Sequence, residues 1–192
     1  MTNRLTIFIL TLAFYSCSGD LSNEDYIERV EDEQNGLRIK RSSAAAEYIL
    51  QYEPSMYKAL SFSHSGKGEG LQKAKEQFDD LHHFMLKVNF KLPAFENDAA
   101  LSRFLAYDLR EKIRFAEGMD TTDRTVMYHL ESSGGVSPYR RILLAFPKSG
   151  STEALKLIIE PNKMDSGRQE FIFNKRALSK LKSLNKRMQQ GL

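Results

Sequence analysis

The sequence has a single cysteine, no tryptophan and only five prolines among its 192 residues. One cysteine cannot form an internal disulfide, so the fold is not expected to depend on a disulfide framework. The apolar run at 5–15 is shorter than the roughly 20 residues that a membrane-spanning helix needs. The net charge is only +3, which argues against a general nucleic-acid binder, because such proteins carry a strong basic excess.

The N-terminus has the features of a secretory signal peptide. Arg4 is its only charged side chain, the apolar run at 5–15 is broken only by two threonines, and Ser16 places a small residue before Cys17. A basic start, a short apolar segment and a small residue at the break are typical of signal peptides. We therefore predict removal of residues 1–16, which lowers the net charge from +3 to +2 through the loss of Arg4.

The segment Phe14-Tyr15-Ser16-Cys17 resembles a bacterial lipobox, in which a small residue precedes a cysteine that is diacylated before cleavage. Phe14 and Tyr15 stand where a lipobox usually has Leu and a small residue, although Bacteroidota lipoproteins tolerate looser versions. The resemblance implies that Cys17 becomes the lipid-carrying first residue. The alternative is an ordinary signal peptide followed by a free thiol, which would be a liability in an exported chain.

The charge of the predicted mature chain is concentrated at its two ends. We predict a lipidated acidic tether with a short helix at 17–36, followed by a single domain at 37–192. The tether resembles the signals that direct Bacteroidota lipoproteins to the cell surface. It implies anchoring in the outer membrane and leaves open the periplasmic or the external face. Its acidic residues are Asp20, Glu24, Asp25, Glu28, Glu31, Asp32 and Glu33.

Hydrophobic periodicity predicts a mixture of helices and strands. Ser22 and Asp25 form a capping pattern for a short helix that Gly36 ends, and a second short helix is predicted at 71–78. Apolar and polar residues alternate from 82 to 92, which gives the clearest strand. Further strands are predicted at 37–41, 47–53, 124–131, 140–146, 154–160 and 169–174, although Ala44-Ala45-Ala46 could equally extend a helix before the second of these.

Two longer helices complete the prediction. Apolar residues spaced by three and four predict a helix at 98–117, which Gly118 ends. A basic helix begins at Lys175 and carries an apolar stripe of leucines. The fold class is therefore α+β: an antiparallel β-sheet or sandwich covered by one long helix, with a basic C-terminal helix.

Three short segments resemble a signature of small, uncharacterised Bacteroidota lipoproteins of flavobacterial type. The resemblance runs from about Tyr26 to Phe173 and implies an envelope lipoprotein. It transfers no catalytic residue, because no established activity belongs to the group. Some secretion and contractile-injection machines of this phylum use small accessory lipoproteins. The segments are Leu50-Gln51-Tyr52-Glu53-Pro54, Tyr128-His129-Leu130-Glu131 and Pro138-Tyr139-Arg140.

Several histidines and acids are candidates for metal or catalytic sites. His129 and Glu131 lie two apart on a predicted strand and share a face, whereas the adjacent His82 and His83 point to opposite faces and cannot chelate together. Without a second cysteine or a helical HxxxH spacing, we predict no metal site. Partly buried structural histidines are the favoured interpretation.

Neither phosphate-loop nor hydrolase patterns are complete in the sequence. The segments at 65–70 and 148–152 contain Gly, Lys and Ser but lack the GxxxxGK[ST] spacing. The carboxylates Asp79-Asp80 and Asp120 with Asp123 offer pairs for glycan hydrolysis, but sequence spacing does not set their separation. We therefore predict a protein that is not an enzyme and has no cofactor.

The basic C-terminal helix is the strongest candidate for a contact surface. Its cations can meet anionic lipid heads or an acidic partner, or they can form a solvated outer face over packed leucines. Tyr52, Tyr57 and Tyr139 would suit a protein interface if exposed. We expect a non-catalytic outer-membrane lipoprotein that serves as a structural or adaptor component of an envelope assembly. A ligand-binding or immunity-like module is the alternative, and an envelope hydrolase is less favoured. The candidate contact residues are Lys175, Arg176, Lys180, Lys182, Lys186 and Arg187.

Overall fold

The computed structural model describes residues 21–62, 68–91, 99–118, 120–122, 125–131, 139–150, 154–163 and 165–190. The predicted signal peptide and the predicted lipidation site Cys17 lie outside these residues. So does Asp123, one of the carboxylates considered above. No helix in the part of the chain that the structure describes is both long enough and apolar enough to cross a membrane.

The described elements are five α-helices and two antiparallel sheets. The helices are α1 (Asn23–Glu31), α2 (Ser55–Phe62), α3 (Glu69–Glu76), α4 (Ala99–Arg103) and α5 (Lys175–Gln190). The strands are β1 (Arg38–Ser42), β2 (Ala46–Glu53), β3 (Leu81–Phe90), β4 (Ile113–Glu117), β5 (Asp120–Thr122), β6 (Met127–Glu131), β7 (Tyr139–Pro147), β8 (Leu155–Ile159) and β9 (Gln169–Phe173). One sheet has the order β1-β2-β3-β7-β6 and the other the order β5-β4-β8-β9.

The two sheets face each other across an aromatic core. Phe84 of β3 lies 5.6 Å, between ring centroids, from both Phe115 of β4 and Phe173 of β9. Phe115 also stacks on Phe146 of β7 at 4.6 Å. All four rings are at most 1% exposed. Contacts between rings of both sheets make the fold a sandwich, which is one of the two arrangements that the sequence predicted.

The predicted short helix and its cap are confirmed. The side chain of Ser22 accepts a hydrogen bond from the backbone N–H of Asp25 at 3.0 Å and caps α1. A short 3₁₀ turn, Glu33–Asn35, follows α1, and Gly36 ends it in the left-handed conformation with φ of 74°. Asn174 caps α5 by accepting from the N–H of Ala177 at 2.9 Å.

The predicted single helix at 98–117 is wrong in its second half. The helix α4 continues through a π-helical segment, Phe104–Asp108, and a 3₁₀ segment, Leu109–Lys112, before β4 begins at Ile113. Residues of β4 pair with β8, which places Ile113 opposite Ile159. The spacing of three and four does not exclude a strand here. Ile113, Phe115 and Glu117 occupy alternate positions, and alternate residues share one face of a strand. The cover over the sandwich is therefore not one long helix.

The Ser- and Gly-rich composition of 61–70 is typical of a loop, but helices enter this segment from both sides. The helix α2, which the sequence analysis missed, runs to Phe62, and α3 begins at Glu69. The helix α2 packs against β3, and α3 packs against α2. The hydroxyl of Ser55 in α2 donates to the backbone oxygen of Phe78 at 3.1 Å. This packing covers His83 on the outer face of β3.

Candidate functional site along the basic C-terminal helix

The helix α5 separates an apolar stripe from a basic face. Ala177, Leu181 and Met188 are buried, and Leu178 and Leu184 are half-buried against the core. The helix contains no acidic residue. Its six cations are all exposed, and none of them forms an ion pair within the described chain. They are the predicted contact residues Lys175, Arg176, Lys180, Lys182, Lys186 and Arg187.

The helix α1 holds α5 in position. The hydroxyl of Tyr26 in α1 donates a 2.6 Å hydrogen bond to Oδ1 of Asn185 in α5. Gly36 lies against Ala177, since a Cβ added at Gly36 would be 3.2 Å from the Cβ of Ala177. The start of α1 therefore lies beside the C-terminal half of α5, and Gly36, which follows α1, lies beside the first turn of α5. The two helices are antiparallel. The basic face is thus fixed relative to the N-terminus of the domain.

A groove of about 300 Å³ follows the line where α1 and α5 meet, and we call it the α1–α5 groove. Three cations line it: Arg29 from α1, and Lys180 and Arg187 from α5. No carboxylate is among the lining residues. The remaining lining residues are Asn35, Leu37, Ala177, Leu181, Ser183 and Leu184. The groove therefore combines unpaired positive charge, two polar side chains and an apolar floor.

A second cavity, of about 350 Å³, lies on the other side of α5 against the ends of the sheets, and we call it the α5–sheet cavity. Tyr52 and His82 lie among its lining residues. Lys175 and Lys182, which are exposed on the same side of α5, also line it. The other lining residues are Leu155, Leu178, Ser179, Leu181 and Asn185. Its size falls in the usual range of small-molecule sites, and its lining mixes leucines with a few polar groups.

Tyr52, His82 and Glu117 form a buried polar row beside this cavity. The Tyr52 hydroxyl lies 3.0 Å from Nδ1 of His82. The Nε2 atom of His82 lies 3.2 Å from Oε2 of Glu117, in an alignment that makes no hydrogen bond. The same carboxylate oxygen accepts a 2.6 Å hydrogen bond from the backbone N–H of Ser149. The three side chains come from β2, β3 and β4 and are each at most 6% exposed.

Burial dominates the electrostatics of this row. It lowers the pKa of His82 below the ordinary histidine value, although the neighbouring Glu117 opposes the shift. Burial also raises the pKa of Tyr52 well above the ordinary tyrosine value, and the Glu117 charge adds to it. A neutral imidazole between a phenol and a carboxylate can exchange hydrogen bonds with a polar ligand that reaches the cavity floor.

A separate polar cluster lies under α2 on the outer face of the five-stranded sheet. Nζ of Lys58 lies 3.1 Å from Oε2 of Glu53, and both side chains are below 10% exposed. His83 is 5% exposed, and neither of its ring nitrogens bonds to a described residue. Burial, followed by the charges of Lys58 and Lys148, lowers the pKa of His83 to about 4. Neither cavity described above includes this cluster.

His82 and His83 point to opposite faces of β3, as the sequence analysis predicted. His82 contacts the ring of Phe115 inside the sandwich, and His83 contacts Phe78 on the outer face. Both are buried on a central strand. Their environments are therefore unrelated.

The other residues weighed as catalytic do not converge within the described chain. His129 is exposed, and Glu131 pairs with Arg141 at 3.0 Å. Asp79 accepts from Lys75 at 2.5 Å. The side chain of Asp120 lies outside the described part of the chain, and Asp123 lies there entirely. No group of three His, Cys, Asp or Glu residues suited to a metal ion occurs among the described residues.

The three tyrosines proposed as interface residues have different environments. Tyr52 is buried in the row described above, so it is not an exposed anchor. Tyr57 is half-buried and donates to Glu31 at 2.6 Å. Tyr139 is half-buried and donates to Glu47 at 3.3 Å. None of the three is an exposed aromatic side chain of the kind expected at an interface.

The buried row of Tyr52, His82 and Glu117 is not indicated by the sequence. The sequence favours His82 as a partly buried structural histidine over a metal ligand, and the spacing at 98–117 assigns Glu117 to a helix. The alternation of Ile113, Phe115 and Glu117 was the available signal, because it predicts that all three point to one face. Nothing in the sequence indicates that this face meets His82. No protein-family model, no curated protein and no solved structure matches the chain.

Proposed function

We propose that the chain is a non-catalytic lipoprotein of the outer membrane that serves as a structural or adaptor component of an envelope assembly. Its anchor would be acyl chains on Cys17, and its contact surface would be the exposed face of α5. A role as accessory lipoprotein of a secretion or contractile-injection system fits this proposal. The observation that carries it is the set of six exposed cations on α5 without an ion pair to the rest of the described chain.

A helix face with six cations and no acidic partner in the described chain is electrostatically unfavourable for the isolated domain. Like charges on one helix repel one another, and an internal acidic partner would relieve that repulsion. Two nearby acids are already paired with cations outside α5. Oε2 of Glu31 lies 3.5 Å from a guanidinium nitrogen of Arg38, and Oε1 of Glu33 lies 2.6 Å from Nζ of Lys40. An acidic or phosphate-rich surface outside the domain would supply the missing countercharge. Complementary charge of this kind also accelerates association.

The test is cross-linking in cells followed by isolation of the full-length protein, with Cys17→Ala in parallel. The proposal expects a reproducible set of envelope proteins that disappears with Cys17→Ala. Arg176→Glu with Lys186→Glu should weaken the set, because these cations line neither cavity. The matched control is Lys112→Glu with Lys163→Glu, two exposed cations outside α5. An empty result from correctly lipidated protein would contradict the adaptor function.

A ligand-binding module is the second candidate, and the α5–sheet cavity favours it. Its volume of about 350 Å³ and the polar pair Tyr52 and His82 match a site for a small molecule with both polar and apolar parts. A ligand that binds only the folded state raises the melting temperature. We expect such a rise from a member of a glycan and small-molecule collection. Ser179→Trp, which narrows the cavity, should abolish it, whereas Ser102→Trp at an exposed position of α4 should not.

A further inference from the structure

We propose that the α1–α5 groove binds the phosphate of anionic phospholipids in the membrane that carries the anchor, so that the domain docks with α1 and α5 against the lipid surface. This inference rests on the proposed lipid anchor at Cys17. It assigns a ligand to Arg29, Lys180 and Arg187, three cations that line one groove from two helices. It also gives the domain a definite orientation on the membrane.

The chemistry of the groove fits a phosphate ester. Two guanidinium groups and one ammonium group supply charge, and arginine matches the geometry of phosphate oxygens with paired donors. The side-chain amide of Asn35 adds a neutral donor, since one of its two protons bonds to the carbonyl of Arg29, whereas the Ser183 hydroxyl already donates to the carbonyl of Ser179. Since no carboxylate lines the groove, an incoming anion meets no repulsive neighbour there. The leucines of the floor offer an apolar surface to the glycerol and the first part of an acyl chain.

The length of the tether brings the groove to the membrane. Only five residues, 18–22, lie between Cys17 and Asn23, the first residue of α1. A fully extended chain covers at most about 3.6 Å per residue, so α1 begins within about 20 Å of the acylated cysteine. Tyr26 is bonded to Asn185, so the C-terminal half of α5 lies beside the start of α1. Arg187 is in that half, at the end of the groove nearest to the anchor.

The acids of α1 do not occupy the groove. Glu24, Asp25 and Glu28 are exposed on the same helix as Arg29, but none of them lines the groove. At about 100° per residue, Glu24 and Glu28 lie well around α1 from Arg29, whereas Asp25, four residues before Arg29, shares its side of the helix. Docking through the groove therefore favours the orientation that turns Glu24 and Glu28 away from the lipid. The opposite orientation would press carboxylates against phosphates. The tether and the charge pattern thus select the same face.

The test uses the full-length acylated protein in vesicles of phosphatidylcholine, with or without phosphatidylglycerol. A fluorophore on Gln189→Cys, an exposed position in the last turn of α5, reports proximity through quenching by lipids with a nitroxide head group. The proposal expects strong quenching with phosphatidylglycerol, weak quenching without it, and loss at high salt. Acylation consumes the thiol of Cys17, so the label attaches to one site.

Two triple variants test whether the cations of the groove bind the lipid phosphate. Arg29→Gln with Lys180→Gln and Arg187→Gln should raise the phosphatidylglycerol fraction needed for half-maximal quenching by at least about tenfold. Arg103→Gln with Lys112→Gln and Lys163→Gln removes three exposed positive charges outside α5 and should leave the quenching unchanged. Equal losses in both variants would overturn the groove as the site. Unchanged quenching in the groove variant would do the same.

Two further measurements separate the possible failures. Inorganic phosphate that raises the melting temperature in neutral micelles, without any phosphatidylglycerol effect on quenching, would assign the groove to a soluble anion and overturn membrane docking. The intact mass of the protein tests the anchor independently. A mass without acyl chains on Cys17 would contradict the proposed function, and flotation of that protein with phosphatidylglycerol vesicles would then test the groove by itself.

Discussion

The hydroxyl of Tyr26 in α1 donates a 2.6 Å hydrogen bond to Asn185 of α5, across 159 positions of sequence. Tyr26 is fully buried, and burial raises its pKa well above the ordinary tyrosine value, so the phenol remains a neutral donor. The bond joins the first helix of the domain to the last. It therefore fixes the basic face of α5 relative to the segment that would lead to the membrane.

Tyr26→Phe should lower the free energy of unfolding by about 1 kcal/mol, because it removes this bond and leaves the ring packing intact. Urea denaturation measures the change. Tyr107→Phe is the control, since Tyr107 is 71% exposed, and its effect should stay within about 0.5 kcal/mol. A similar loss in both variants would mean that the Tyr26 hydroxyl does not stabilise the contact between α1 and α5.

Gly36→Ala should lower the free energy of unfolding by more than the addition of one methyl group would suggest. Gly36 has φ of 74°, where a side chain costs about 1 kcal/mol, and a Cβ would approach Ala177 to 3.2 Å. The combined loss in the free energy of unfolding should be about 2 kcal/mol. Gly150→Ala isolates the conformational part, because Gly150 has φ of 88° and no described atom within 4 Å of the added Cβ. Equal losses would show that the approach of α5 is not tight.

The sequence predicts a helix or strand well where one face of that element packs on the core and the other face meets water. The period-two pattern located β3, and the apolar stripe of leucines located α5 and left its cations outside. In both cases one face is polar and the other apolar, so periodicity alone reports the orientation. The capping pattern at Ser22 is equally local, because the hydrogen bond spans three residues. Such features depend on neighbours in the chain.

The features that the sequence did not predict depend on distant partners. Residues 113–117 form a strand because β8 and β5 pair with them on both sides, and this pairing overrides a spacing that also suits a helix. The row of Tyr52, His82 and Glu117 needs three strands from two sheets. No spacing within the sequence indicates that these three side chains lie together. The two cavities beside α5 likewise depend on how α5 packs against distant parts of the chain.

The ion pair of Lys58 and Glu53 offers a test of buried charge. Lys58→Met leaves the Glu53 carboxylate buried without its partner and should lower the free energy of unfolding by about 3 kcal/mol. Adding Glu53→Leu removes the stranded charge and should restore most of the stability. Urea denaturation of both variants gives the comparison. A double variant as unstable as the single one would mean that the loss comes from packing over Phe62, whose ring lies 5.0 Å from Nζ.

His83 should make the protein sensitive to mild acid. Its pKa is lowered from 6.5 to about 4 in the folded state by burial and by the charges of Lys58 and Lys148. Between these two pH values the unfolded chain takes up a proton that the folded chain refuses, so stability falls as the pH falls. The loss from pH 6.5 to pH 4 should approach about 3 kcal/mol. His82, whose pKa is also lowered, contributes in the same direction.

His83→Phe tests this origin of the pH dependence. Phenylalanine keeps a ring against Phe78 and removes two nitrogens that bond to no described residue. The variant should be at least as stable as the original protein near pH 7, because no buried polar group is left without a partner. Its stability should fall less steeply between about pH 6.5 and pH 4, as measured by urea denaturation across that range. An unchanged slope would mean that His83 is protonated in the folded state or accessible to water, and His82 would then account for the acid sensitivity.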